Sequence, residues 1–141
     1  MRNIKSVLVT LCLAAAFSCS KPLVQDENLE VNRNNISGEW VLSLWNGSPL
    51  AEGTYFNMTL VRNDATFTIT QNMDAFPESP REITGRFDLA ADEVYGTVIS
   101  GVYDHDAGFW SHDYAITRLT SKEMEWVAVD DEDFVQLFVR P

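Results

Sequence analysis

The sequence predicts an all-β protein, an eight-stranded antiparallel up-and-down barrel that follows an N-terminal signal segment and a short tether. Three observations carry this prediction. From Gly38 onward, apolar and polar residues alternate in short runs rich in β-branched and aromatic side chains, the period of a strand with one buried face. Polar turn signals such as Asn46-Gly47 and Asn63-Asp64 break the runs at short intervals, and no run keeps a helical period over a dozen residues. Eight antiparallel strands joined by short turns either expose two edges or close on themselves, and closure removes the edges. A sandwich is the alternative architecture, but Greek-key sandwiches need long crossings that these connections do not supply.

The first 19 residues read MRNIKSVLVTLCLAAAFSC. Arg2 and Lys5 form a basic head, and Val7 to Phe17 is an uncharged apolar run too short to span a bilayer as a stable helix. This is the layout of a secretory signal. Ala14-Ala15-Ala16 suits an ordinary signal peptidase. Ala16-Phe17-Ser18-Cys19 resembles a bacterial lipobox, in which Cys19 becomes the lipidated first residue. The polar, unperiodic stretch from Ser20 to Asn34, with Pro22, has the composition of a tether and favours the second reading. The expected division is therefore a lipoprotein signal peptide over 1–18, a flexible tether over 19–35 and the barrel over 36–141. Cys12 falls in the removed segment and Cys19 at the anchor, so no disulfide framework is expected and the domain must stand on its apolar core.

The strands are expected at Glu39–Trp45, Tyr55–Arg62, Ala65–Gln71, Glu82–Leu89, Val94–Tyr103, Phe109–Leu119, Glu123–Val129 and Phe134–Arg140. Residues 72–81, with Pro77 and Pro80, read as a longer loop. An eight-stranded barrel has an interior that side chains fill or that holds one small ligand.

Charge excludes one class of partner. The chain carries 10 basic and 21 acidic residues, and without Arg2 and Lys5 the mature chain is near −13. A surface this acidic repels phosphate backbones and anionic lipid heads, so no nucleic-acid partner is expected.

The stretch GVYDHDAGFWSHDY, residues 101–114, holds both histidines. Asp106-Ala107-Gly108 reads as a three-residue hairpin loop with Gly108 in the left-handed position. Folded about Ala107, His105 faces Phe109 and Val102 faces His112, which places the two histidines on opposite faces. They cannot then share a metal, and no His-x-His or His-Glu-x-x-His pattern is present. Asp104, Asp106 and Gly108 lack the distal glutamate of an EF-hand. His112 shares a face with Trp110, Tyr114 and Ile116, so it is expected as a polar group of the interior, either satisfied by a neighbour or orienting a ligand. No serine sits in a Gly-x-Ser-x-Gly setting, no glycine-rich phosphate loop exists, and no acid/base pair can be nominated. The reading is a protein that is not an enzyme, with no catalytic residues, no metal and no cofactor.

Ser37-Gly38-Glu39-Trp40 resembles the Gly-x-Trp opening of the lipocalin and calycin barrels, and Arg140 resembles the basic residue that packs over that tryptophan. Phe67, Gly85-Arg86-Phe87, Ser100-Gly101-Val102-Tyr103 and Tyr114-Ala115-Ile116 resemble the pattern of small lipocalin-like lipoproteins of bacteria. The resemblance covers about residues 36–141. It implies an envelope protein, lipid-anchored through Cys19 to the outer membrane, that binds a small hydrophobic or amphipathic ligand in its barrel. The lining is then drawn from Leu42, Leu44, Phe56, Met58, Phe67, Ile69, Phe87, Trp110, His112, Tyr114 and Trp126. The alternative is a filled barrel that binds a protein or glycan through outward aromatics such as Trp45, Tyr55, Tyr95 and Tyr103. An open interior favours the first and a packed one the second.

Overall fold

The structure is a computed structural model and describes residues 27–73 and 81–141. The signal segment, Cys19 and the first part of the tether lie outside these residues. A single turn of helix, α1 (Arg33–Ile36), precedes nine strands: β1 (Gly38–Trp45), β2 (Ser48–Pro49), β3 (Phe56–Val61), β4 (Thr66–Gln71), β5 (Arg81–Asp92), β6 (Gly96–Tyr103), β7 (Tyr114–Leu119), β8 (Glu123–Ala128) and β9 (Asp131–Val139). Sequential neighbours pair antiparallel from β3 to β9, β1 pairs with β3, and β1 also pairs with β9. The result is a closed eight-stranded antiparallel barrel with β2 as one extra strand, consistent with a lipocalin-like barrel.

The extra strand follows from a turn the sequence announces. Asn46 and Gly47 both have positive φ, 51° and 81°, as a two-residue hairpin turn that continues the strand twist demands. The chain therefore folds straight back, and Ser48 and Pro49 pair with Trp45 and Leu44. Asn46 also ties this turn to β9: its N–H donates to the Val135 carbonyl, and its Oδ1 accepts from the Val135 N–H, both at 2.7 Å.

One end of the barrel is closed. Trp40 is fully buried there, its Nε1 donating to the Ile36 carbonyl at 2.8 Å. The Arg140 guanidinium lies 3.7 Å over the Trp40 ring. Its Nη1 donates to the Ser37 carbonyl at 2.8 Å and its Nη2 to the Asn35 carbonyl at 3.1 Å. A cation thus meets carbonyls that the end of α1 leaves without helical partners. Gly38 is required by the same arrangement. Its φ is +114°, and a Cβ there would stand 2.6 Å from Arg140 Nη1. Residues 27–35, expected as tether, are in part built into this end. The Leu29 N–H donates to the Leu119 carbonyl at 2.7 Å, and Leu29 and Val31 pack against the core. Both are apolar residues in an otherwise polar stretch, and the exposed apolar rim of a barrel gives them somewhere to go.

Leu42, Leu60, Phe67, Phe87, Ile99, Leu119, Met124 and Phe138 fill the interior above Trp40. At the other end, where β4, β6 and β8 finish and β3, β5, β7 and β9 begin, the described residues leave the interior unfilled.

Candidate functional site

A cavity of about 340 Å³ opens at that end. Its lining is mostly apolar and rich in aromatic rings: Trp45, Phe56, Tyr103, Trp110, Tyr114, Trp126 and Phe134, with Met58, Ile69, Met73 and Ile83 between them. The polar lining is Gln71, Ser111, His112 and Gln136. The volume is at the lower end of the range for small-molecule sites, and an apolar lining with a few polar groups is their usual chemistry.

Of the residues expected to line the interior, Phe56, Met58, Ile69, Trp110, His112, Tyr114 and Trp126 do so. Leu42, Phe67 and Phe87 do not. They are packed lower in the core, where Phe67 meets Trp110 edge-on at 5.1 Å and helps form the cavity floor. Leu44 faces away altogether, and the cause is a bulge. Leu42 pairs with Phe138, but Leu44 pairs with Leu137 and Trp45 with Gln136. The extra residue, Ser43, reverses the alternation, so Trp45 enters the cavity and Leu44 leaves it. Tyr103, expected outward with Trp45, also lines the cavity, because it follows Ile99 and Gly101 on the inner face of β6.

The sequence reading also missed Phe134, Gln136, Ile83, Gln71 and Met73. The signal for the first three was present. Phe134, Gln136 and Phe138 alternate on β9, as Ile83, Gly85 and Phe87 do on β5. Gln136 is the polar member of that otherwise apolar face of β9.

The hairpin that holds both histidines differs from its expected form. The turn is Asp104–Ala107, with the Ala107 N–H donating to the Asp104 carbonyl at 3.3 Å. His105 and Asp106 occupy its corners, both with positive φ, 63° and 55°. Aspartate and histidine tolerate this region better than most residues, so the turn closes before Gly108. Val102 consequently faces Phe109 rather than His112, while Ile99 pairs with Tyr114 and Val98 with Ala115. Two surplus residues are taken up between Phe109 and Tyr114. That segment leaves the ladder, so β7 begins at Tyr114 and not at Phe109, and Trp110 tucks into the barrel. Gly101 makes the room: a Cβ there would fall 2.1 Å from Trp110 Cε2.

The two histidines are well separated in role. His105 is exposed at the turn. His112 lines the cavity, its ring 4.8 Å from Phe134 and its Nδ1 2.7 Å from Asp130 Oδ1. The hydrogen bond from His112 lowers the Asp130 carboxyl below its ordinary value. Asp104 is engaged in holding the hairpin, its Oδ2 accepting from Thr84 Oγ1 at 2.8 Å. Among the described residues no group of three or more His, Cys, Asp or Glu is placed to hold a metal ion. No helix among them is long and apolar enough to cross a membrane.

Tyr114 and Trp126 stack nearly parallel at 4.5 Å. Burial pushes the Tyr114 hydroxyl up to about 12. Trp126 Nε1 donates to Gln136 Oε1 at 2.8 Å. This bond fixes which end of the Gln136 carboxamide faces where, because an indole N–H can only donate.

Fold and site together define an eight-stranded antiparallel barrel, plugged at one end and carrying an aromatic cavity at the other. No protein-family model matches the chain, and the comparison with curated proteins found no match.

Proposed function

We propose that the protein is a lipocalin-like bacterial envelope lipoprotein, anchored through Cys19, which binds a small hydrophobic or amphipathic molecule in its barrel and is not an enzyme. The single observation that carries the binding reading is the open aromatic cavity of about 340 Å³ in an otherwise packed barrel. Filling the same space with side chains would be the stable default for a barrel of this size. The reading of the anchor rests on the Ser18-Cys19 pair after an apolar run, and on the polar stretch that follows it. The described chain enters the barrel at its plugged end, where Leu29 joins Leu119. An anchor upstream therefore leaves the cavity mouth at the far end of the domain, open to solutes of the envelope. The site of residence proposed is the outer membrane.

The test is native mass spectrometry of the chain purified from its own host without organic solvent. The expected spectrum shows a non-covalent adduct of small-molecule mass that gentle activation removes. After digestion, the peptide beginning at Cys19 carries acyl mass. An adduct-free spectrum, joined with failure of apolar probes to bind the emptied protein, refutes ligand binding. An unmodified peptide running through Cys19 refutes the anchor.

A further inference from the structure

Among the described residues the cavity is lined by no Lys, Arg, Asp or Glu. A carboxylate drawn into it would lose its hydration and meet no countercharge. His112 does not supply one, because its Nδ1 is already engaged by Asp130, whose negative charge offsets the imidazolium whenever it forms. At the same end, the carboxylates of Asp113 and Asp130 and of Asp131, Glu132 and Asp133 at the start of β9 outnumber the one guanidinium of Arg81 at the start of β5, so among the described residues the net field there repels an incoming anion.

The polar group in the cavity has a definite orientation. Gln136 is only 5% exposed. Trp126 holds its oxygen, so its amide nitrogen is the end left over. Among the described residues that nitrogen has no hydrogen-bond partner, yet it is not sealed off by protein atoms as Trp110 Nε1 is. It therefore presents two N–H donors to the cavity, in a low-dielectric site where an unmet donor costs free energy. Tyr114, 9% exposed as a residue, likewise has no hydroxyl partner among the described residues, and it stays neutral throughout the physiological range.

We propose that the cavity selects an uncharged, flat apolar molecule bearing a hydrogen-bond acceptor oxygen, such as a ketone, quinone, ester or amide carbonyl, which accepts from the Gln136 amide, and that it discriminates against carboxylates of the same shape. Gln136 is then the specificity-determining residue. A site built to hydrogen-bond a ligand rejects the analogue that lacks the matching group, because its own buried polar group is left unpaired. The inference rests on the reading of the barrel as a small-molecule binder.

Three probes of one shape separate the terms: 2-acetylnaphthalene, 2-isopropylnaphthalene and 2-naphthoate, titrated calorimetrically into the purified full chain. The ketone is expected to bind about five- to tenfold tighter than the hydrocarbon, the worth of one neutral hydrogen bond. The carboxylate should bind on the order of a hundredfold more weakly than the ketone, or not measurably. Gln136→Met should erase the ketone's advantage and leave hydrocarbon binding in place. The wild-type ranking decides the matter alone if that variant does not fold. Equal or tighter binding of the hydrocarbon overturns the selectivity and leaves the binding reading standing. Equal or tighter binding of naphthoate does the same. If none of the three binds, the binding reading falls and the selectivity with it.

Discussion

Replacing Arg140 by Met removes a contact that joins the first and last parts of the barrel at its plugged end, and its cost can be worked from the structure. The guanidinium stands 3.7 Å over the Trp40 ring, a cation–π contact worth about 0.5–2 kcal/mol. It also donates at 2.8 Å to the Ser37 carbonyl and at 3.1 Å to the Asn35 carbonyl. Hydrogen bonds from a charged donor contribute roughly 1.5–3 kcal/mol each when desolvated. Arg140 is only partly buried, so water takes over some of this, and each bond is discounted to about 1 kcal/mol. Met keeps most of the apolar stem. The expected loss is about 2–4 kcal/mol, read by urea unfolding followed through tryptophan fluorescence, with the midpoint falling and the slope unchanged. A cycle with Trp40→Leu, which removes the π face, isolates the ring contact and should give a coupling of about 0.5–1.5 kcal/mol. Leu also loses the Nε1 bond to Ile36, so the single change costs stability by itself. A loss below about 0.5 kcal/mol for Arg140→Met, or additivity in the cycle, would refute the reasoning that this end is closed by the guanidinium.

Two further outcomes follow from the cavity. Gly101→Ala puts a methyl where Trp110 lies, 2.1 Å from Cε2. It should cost about 1–3 kcal/mol as an overpacking change and should shift tryptophan emission as the indole is driven into the cavity; unchanged stability and emission would mean that Trp110 does not lie on Gly101. Tyr114 should ionise late, near pH 12 in an absorbance titration. Because its folded value is raised, its contribution of about 2–3 kcal/mol is whole below the unfolded value of about 10 and is lost as pH rises toward 12. Tyr114→Phe should abolish that late step, and a wild-type titration that shows no step near 12, or one that the variant keeps, would refute the burial argument.

The barrel was legible in the sequence because its cause is local. Alternation at period two, β-branched enrichment and Asn46-Gly47 act over a few residues, and eight such runs with short connections have few ways to hide their edges. Trp40, Phe67, Phe87 and Phe138 announce themselves as inward-facing by their place in that alternation, but the alternation does not say whether they pack the core or line the cavity. The signal segment and the anchor at Cys19 remain expectations from composition, on residues outside those described.

What only the tertiary structure decided is where the alternation slips. The bulge at Ser43 is set by closure of β1 onto β9, a pairing of segments about ninety residues apart, and it exchanges Leu44 for Trp45 in the cavity. The hairpin at 104–107 turned on corners at His105 and Asp106, not at Gly108, and the surplus residues it released let Trp110 fold inward over Gly101. Neither shift breaks a local rule, so neither leaves a mark in the sequence. Side-chain direction inverts with a one-residue change of register, and that register is set by partners distant along the chain. The same holds for Gln136. Its sequence marks it only as a polar residue on an apolar strand face, whereas its two ends acquire separate roles because Trp126, brought alongside by the pairing of β8 with β9, holds one of them and leaves the other to the cavity.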